Sequence, residues 1–236
     1  MKADTFGALQ TARRSKTPVA LVIGIDGDGS EALVYADRVD SSLPEAVIAE
    51  ARTRLRDDKT GVMEIGGTHW FIDCHNAPLR VIVVGAVHIT QTLAPMAAIA
   101  GYEVIVVDPR ASFATPERFP NVHLLDEWPD DAMVELAPDA RTAVITLTHD
   151  PKLDDPALEV ALNSEAFYIA CLGSRRTHAR RLDRLRALGF DEATLNRIHG
   201  PAGLPIGAVS PAEIAIAIMA ELTSVLHEAG PLAVAA

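Results

Sequence analysis

Two apolar stretches of this 236-residue chain end in residues built for chemistry. Residues 142–147 lead into Thr148-His149-Asp150, and residues 166–172 lead into Gly173-Ser174-Arg175-Arg176-Thr177-His178. A buried strand needs none of these side chains in order to end. The second stretch also opens a helix, where two cations face the positive pole of the macrodipole at a cost of a few tenths to about 1 kcal/mol each. An anion held between the helix amides and the guanidinium forks reverses that sign, because every contact then becomes favourable. The pattern therefore points to an anion site at Arg175 and Arg176, with hydroxyls from Ser174 and Thr177 and an imidazole from His178. Arg180, Arg181, Arg184 and Arg186 continue the run around the helix and read as surface or partner contacts.

Other apolar runs end similarly. Residues 80–84 lead into Gly85-Ala86-Val87-His88, and residues 103–107 into Asp108-Pro109-Arg110. A dinucleotide-binding first turn wants glycines for close approach to a pyrophosphate and an acid about 20 residues on for a ribose hydroxyl. Gly85 and Asp108 meet two of these requirements, whereas Ala86, Val87 and Ile89 stand where other glycines would. Two readings stay open: a dinucleotide crevice, and a structural turn or a site for another ligand. His88 enters a first helical turn, where the dipole favours neutral imidazole. Asp108 and Arg110 either line the carboxyl edge of a sheet or face water. Asp150 before Pro151 is also ordinary turn chemistry, and His199 reads equally as a ligand contact or a helix cap. Cys74 and Cys171 are the two cysteines, too few for a disulfide framework or a multi-cysteine zinc site. No metal centre is expected, and the G-x-S-x-G, Walker A, HExxH and CxxC patterns are absent.

The elements that must position these residues follow a clear rhythm. From Arg80 onward, strands and helices alternate, which is the signature of parallel βαβ units. The expected fold class is α/β, a Rossmann-like doubly wound parallel sheet (77–236) preceded by a small α+β domain (1–76). Strands are expected at 18–25 and 31–37 around a "DGDG" turn, then at 61–67 and 68–74. Between the two pairs, Ser42 and Glu45 have capping-box spacing for a helix. In the larger domain, Asp155 and Pro156 read as N-cap and first helical residue. A helix over 174–188 should close on Gly189, and Ser210 and Glu213 form a second capping box for a helix to about residue 227. The terminal "GPLAVAA" reads as frayed.

Composition narrows the classes. A net charge of -11 disfavours nucleic acid as a partner. The apolar runs fall short of the roughly 18 residues a membrane span requires. The opening residues lack an apolar signal core. A soluble cytoplasmic protein is expected.

"RVIVVGAVHITQTLAPMAAIAGYEVIVVDPR", "TLTHDPKLDDPAL", "YIACLGSRRTHARRLDRLRALG" and "IHGPAGLPIGAVSPAEIAIAIMAE" together resemble the XdhC/CoxI family, accessory proteins that mature molybdenum hydroxylases such as xanthine and carbon monoxide dehydrogenases. The resemblance covers nearly all of residues 80–223. It implies a Rossmann-type domain that binds molybdenum cofactor, protects it during sulfuration with a cysteine desulfurase and passes it to an apo molybdenum hydroxylase. Such a protein is a cofactor chaperone rather than a turnover enzyme, and a homodimer is compatible with it. Molybdopterin carries a phosphate, which suits the anion site, with His88, Asp108, His149, Asp150 and His178 lining the rest. The chain departs from the family in two places. Ser42-Leu43-Pro44-Glu45 replaces a Gly-Gly-Cys-Val-Glu-like stretch, and Gly85-Ala86-Val87-His88 stands where many relatives have Gly-Ala-Gly-His. The alternatives are an NAD(P)-dependent oxidoreductase or dinucleotide-binding protein, and an interaction module docking an acidic partner.

Overall fold

The computed structural model describes residues 2–26 and 29–227. The middle of the "DGDG" turn and the terminal "GPLAVAA" lie outside the described residues. Two compact units divide the chain, Met1–Ala77 and Pro78–Ala236.

The first unit contains α1 (Ala3–Arg14), β1 (Val19–Gly24), β2 (Glu31–Val34), α2 (Glu45–Arg56), β3 (Gly61–Ile65) and β4 (Thr68–His75). Its antiparallel sheet has the order β2-β1-β4-β3. Successive side chains of β1 point to opposite faces. Ala20 and Val22 meet Val47, Ala51 and Leu55 of α2, while Val19 and Leu21 meet Leu9 and Ala12 of α1. The sequence pattern gave no signal for α1, whose buried stripe is two residues wide. The expected Ser42–Glu45 capping box does not form. Pro44 takes the N-cap position with φ -56° and ψ 137°, so the cap lies two residues beyond Ser42 and offers no side-chain hydrogen bond.

The second unit contains β5 (Arg80–Val84), α3 (His88–Ile99), β6 (Glu103–Val107), β7 (His123–Leu125), α4 (Pro129–Leu136), β8 (Thr142–Thr146), α5 (Pro151–Leu162), β9 (Tyr168–Cys171), α6 (Arg175–Ala187), α7 (Glu192–Leu195), β10 (Ile198–His199) and α8 (Pro211–Leu226). Six parallel strands run in the order β10-β9-β8-β5-β6-β7. Counted from β5, this is the 3-2-1-4-5-6 order of the doubly wound Rossmann fold, with its switch point between β5 and β8. The expected fold class is the observed one. β5 and β8 are buried along their whole length because helices cover both faces. Val81, Val83 and Ile145 pack on Leu93 of α3 and Ile218 of α8. Ile82, Val84 and Val144 pack on Met133 of α4, Leu158 of α5 and Leu185 of α6.

Helix starts at the carboxyl edge decide which side chains reach it. Asp150, not Asp155, caps α5, accepting a hydrogen bond from the Lys152 amide at 3.0 Å. Pro151 takes the first helical position, and Asp155 and Pro156 fall inside the helix. Two Asp-Pro pairs five residues apart carry the same start signal, and the chain uses the earlier one. Ser174 caps α6, one residue before the helix proper, and Ser210 with Glu213 caps α8 as expected. Gly189 follows α6 at φ +101°.

Candidate functional site

All strand exits of the second unit open on one edge, and the expected site residues are distributed along it. Gly85 leaves β5 at φ +116°, and a Cβ there would come within 2.7 Å of Thr148 Cγ2. The two flanks of the switch point are therefore in contact through that glycine. Gly173 leaves β9 at φ +146°, with Thr177 against it and His149 Nδ1 3.9 Å from where its Cβ would lie. His149 itself sits at φ +62° and is exposed. Thr148, His149, Gly173, Thr177 and Gly85 thus form one connected rim.

Asp108 and Arg110 belong to each other. Asp108 is 1% exposed and accepts from the Ala86 amide at 2.7 Å and from Arg110 through its amide, Nε and Nη2 at 3.0, 2.8 and 2.7 Å. Burial pushes the Asp108 carboxyl upward, but the Arg110 side chain and the two amides outweigh it and hold it below the usual carboxylate range. The Arg110 guanidinium carbon lies over Phe113, 4.4 Å from the ring centre.

Arg175 and Arg176 begin α6 in exposed positions, with no acid in the first turn. Neither side chain has a hydrogen-bond or ion-pair partner among the described residues. The Ser174 hydroxyl accepts from the Thr177 amide at 3.1 Å and lies 3.0 Å from its hydroxyl. The amides of Arg175 and Arg176 stand ahead of the first intrahelical bond, as first-turn amides do. His88 is exposed at the start of α3. Two concavities, of about 520 and 580 Å³, lie at the starts of β6 and β7 and between α4 and α5. None of these residues lines either one.

Beneath the rim is a pair that pattern reading misplaced. Arg181 is 2% exposed, not a surface contact: its Nη2 donates to the Leu172 carbonyl at 3.1 Å and lies 3.4 Å from Asp154 Oδ2. Asp154 is 1% exposed and accepts from the Thr148 hydroxyl at 2.7 Å. Burial pushes the Asp154 carboxyl above its ordinary value despite these partners. Arg184 is likewise paired, with Asp155 at 2.5 and 2.9 Å. The i, i+4 relation of Arg181 to Leu185 was the one available signal that an arginine faces inward.

The loop before α8 supplies a second wall. The Ala202 amide donates to the Cys171 carbonyl at 2.9 Å, and Glu221 gathers the Tyr168 hydroxyl at 2.6 Å, the Gly203 amide at 2.8 Å and His199 Nδ1 at 3.2 Å. His199 is therefore a side-chain partner of α8 rather than a helix cap. Burial raises the Cys171 thiol to about 11, which leaves it an inert core group.

His178 packs against Gly200 so closely that a Cβ there would fall 2.1 Å from its Nδ1, an atom buried without a partner among the described residues. Burial, then the Arg181 charge, lowers the His178 pKa. The unfolded chain thus binds more protons at this ring, so the stability it contributes is complete above about pH 6.5 and is lost as the pH falls below that. His178→Gln is expected to flatten the fall of melting temperature between roughly pH 6.5 and 5. An unchanged pH slope in the variant would contradict this assignment.

Comparison with known proteins follows the same edge. The sequence profile of the XdhC Rossmann domain matches residues 81–222. The chain is 33% identical over 165 residues to the uncharacterized protein YqeB of Escherichia coli strain K12, covering 70% of this chain and 30% of that protein. It is 31% identical over 151 residues to the molybdenum cofactor insertion chaperone PaoD of the same organism, covering 64% and 41%. The chain spans less than half the length of these relatives. A solved structure of a xanthine dehydrogenase from Bacillus halodurans matches with TM-score 0.68 over 94% of this chain and 66% of that one, at 22% identity, a likeness of fold.

Proposed function

The chain belongs to the XdhC Rossmann-domain family, and from that premise we propose that it is an accessory protein that carries molybdenum cofactor as cargo to a molybdenum hydroxylase. One observation carries the reading: two exposed guanidinium groups stand at the first turn of α6 with no acid in that turn and no ion-pair partner among the described residues, beside the switch point of the sheet. A phosphate there turns an electrostatic cost into charge-assisted contacts. Ser174, Arg175, Arg176 and Thr177 would hold the phosphate of molybdopterin. Gly85 and Gly173 allow backbone approach, and Thr148, His149 and Asp150 would meet the rest of the cargo. The relative PaoD, a molybdenum cofactor insertion chaperone, supports this reading. Protection of the cofactor during sulfuration by a cysteine desulfurase is the finer part of the proposal, as is a dimeric assembly.

The test is a titration of the chain with molybdopterin, followed by pterin fluorescence. Each lost charge-assisted contact is worth about 1.5–3 kcal/mol, so the double variant Arg175→Ala/Arg176→Ala is expected to bind at least about a hundredfold more weakly. Failure of the unaltered chain to bind where PaoD does, or equal binding by the double variant, would sink the proposal.

A further inference from the structure

A Rossmann crevice grips NAD⁺ with two features of its first βαβ unit: amides of the glycine-rich turn on the pyrophosphate, and a carboxylate at the end of the second strand on the ribose diol. Here the carboxylate, and with it one amide of the turn, is spent on the protein itself. An ionised carboxylate offers about four acceptor positions, and Asp108 receives four donors. Oδ1 takes the Arg110 amide at 3.0 Å and Arg110 Nε at 2.8 Å, and Oδ2 takes the Ala86 amide at 2.7 Å and Arg110 Nη2 at 2.7 Å. The carboxylate has no acceptor capacity left for a diol, and the turn amide of Ala86 is already committed. Arg110 is held by two side-chain bonds to a buried carboxylate and by its contact with the Phe113 ring.

We infer that the Asp108–Arg110 pair is a specificity-determining lock that excludes ligands presenting a ribose diol at this end of the crevice, NAD⁺ above all. The donors of Arg110 that do not face Asp108 remain for an acceptor group on whatever ligand is admitted. The lock rests on Asp108, Arg110 and Ala86 and does not depend on molybdopterin being the cargo. It also gives the Rossmann topology a role separate from dinucleotide chemistry.

Titration calorimetry of the full chain with NAD⁺ tests the lock without any pterin. The unaltered chain is expected to show no saturable binding up to about 1 mM. Arg110→Ala removes both side-chain donors to the carboxylate, and Arg110→Gln removes the charge and the two-point fork that fills both of its oxygens. Both are expected to bind NAD⁺ at least about tenfold more tightly than the parent, and the gain should vanish when Asp108→Asn is added. Saturable NAD⁺ binding by the unaltered chain overturns the inference. So does the absence of any gain in whichever Arg110 variant keeps the parental circular dichroism and thermal transition. Because the probe is NAD⁺, these outcomes are distinct from a failed molybdopterin titration.

Discussion

Arg181→Met is expected to destabilise the second unit by about 3–5 kcal/mol, the scale of leaving one charge of a buried pair uncompensated. Asp154 is 1% exposed and has two side-chain partners, Arg181 and Thr148. With Arg181 gone, the carboxylate keeps its desolvation cost and loses the cation that offsets it. At about 2–4 °C per kcal/mol for a domain of this size, the melting temperature should fall by roughly 6–20 °C. The deficit should be largest at neutral pH. Burial already raises the Asp154 pKa, and removing the cation raises it further, so acidification neutralises the stranded group and narrows the gap between variant and parent. Asp154→Asn fixes the site in its neutral form, so it should cost less than Arg181→Met and remove this pH dependence. Arg175→Ala and Arg176→Ala, in exposed positions, should each stay within about 0.5 kcal/mol. Thermal unfolding of the four variants at two pH values decides the matter, and an Arg181→Met melting point within a few degrees of the parent would refute it.

The same pair shows where sequence reading stops. The run from Arg175 to Arg186 announces a helix and a charged surface. A helix packed on a sheet must turn one stripe inward, and at α6 that stripe passes through Arg181 and Leu185. Nothing in the run says which arginine meets a buried acid, because the acid lies on α5 and its position depends on where α5 begins. Asp150-Pro151 and Asp155-Pro156 satisfy the same start rule. Starting at Pro151 turns Asp154 toward the core and makes Asp150 the cap. The β-branched runs were a surer guide: residues 80–84, 103–107 and 142–146 alone imply strands buried on both faces, and with the helices between them they imply the doubly wound sheet. α1 and α4 each bury only two or three side chains, and neither opens with the Ser capping signal that marked α8. Asp108 is an instructive middle case. Its spacing from Gly85 correctly placed it at the edge beside the first turn, whereas its four donors are a fact of three-dimensional pairing that spacing does not contain.

Gly85→Ala joins these observations, and it is expected to cost about 2–6 kcal/mol. Part of the loss is conformational: φ is +116°, and holding an L residue in so sparsely populated a region costs about 1–3 kcal/mol. The remainder is steric. The new Cβ would stand 2.7 Å from Thr148 Cγ2 and 3.3 Å from the Thr148 amide, and overpacking of this kind costs about 1–3 kcal/mol. Thr148 has little room to yield, because its hydroxyl donates to Asp154 at 2.7 Å and accepts from the Asp150 amide at 3.0 Å. The two contributions separate experimentally. Thr148→Ser removes the obstructing methyl and keeps the hydroxyl, so Gly85→Ala/Thr148→Ser should recover about 1–2 kcal/mol of the loss and leave the backbone strain. In the Arg181→Met background the anchoring of Asp154 is already weakened, and Gly85→Ala should cost less than it does alone. Strict additivity across that cycle, or no recovery with Ser at 148, would show that the switch point and the buried ion pair are mechanically separate. Coupling would show that one ion pair, out of reach of solvent, sets the spacing between the two strand exits over which any ligand of this edge must lie.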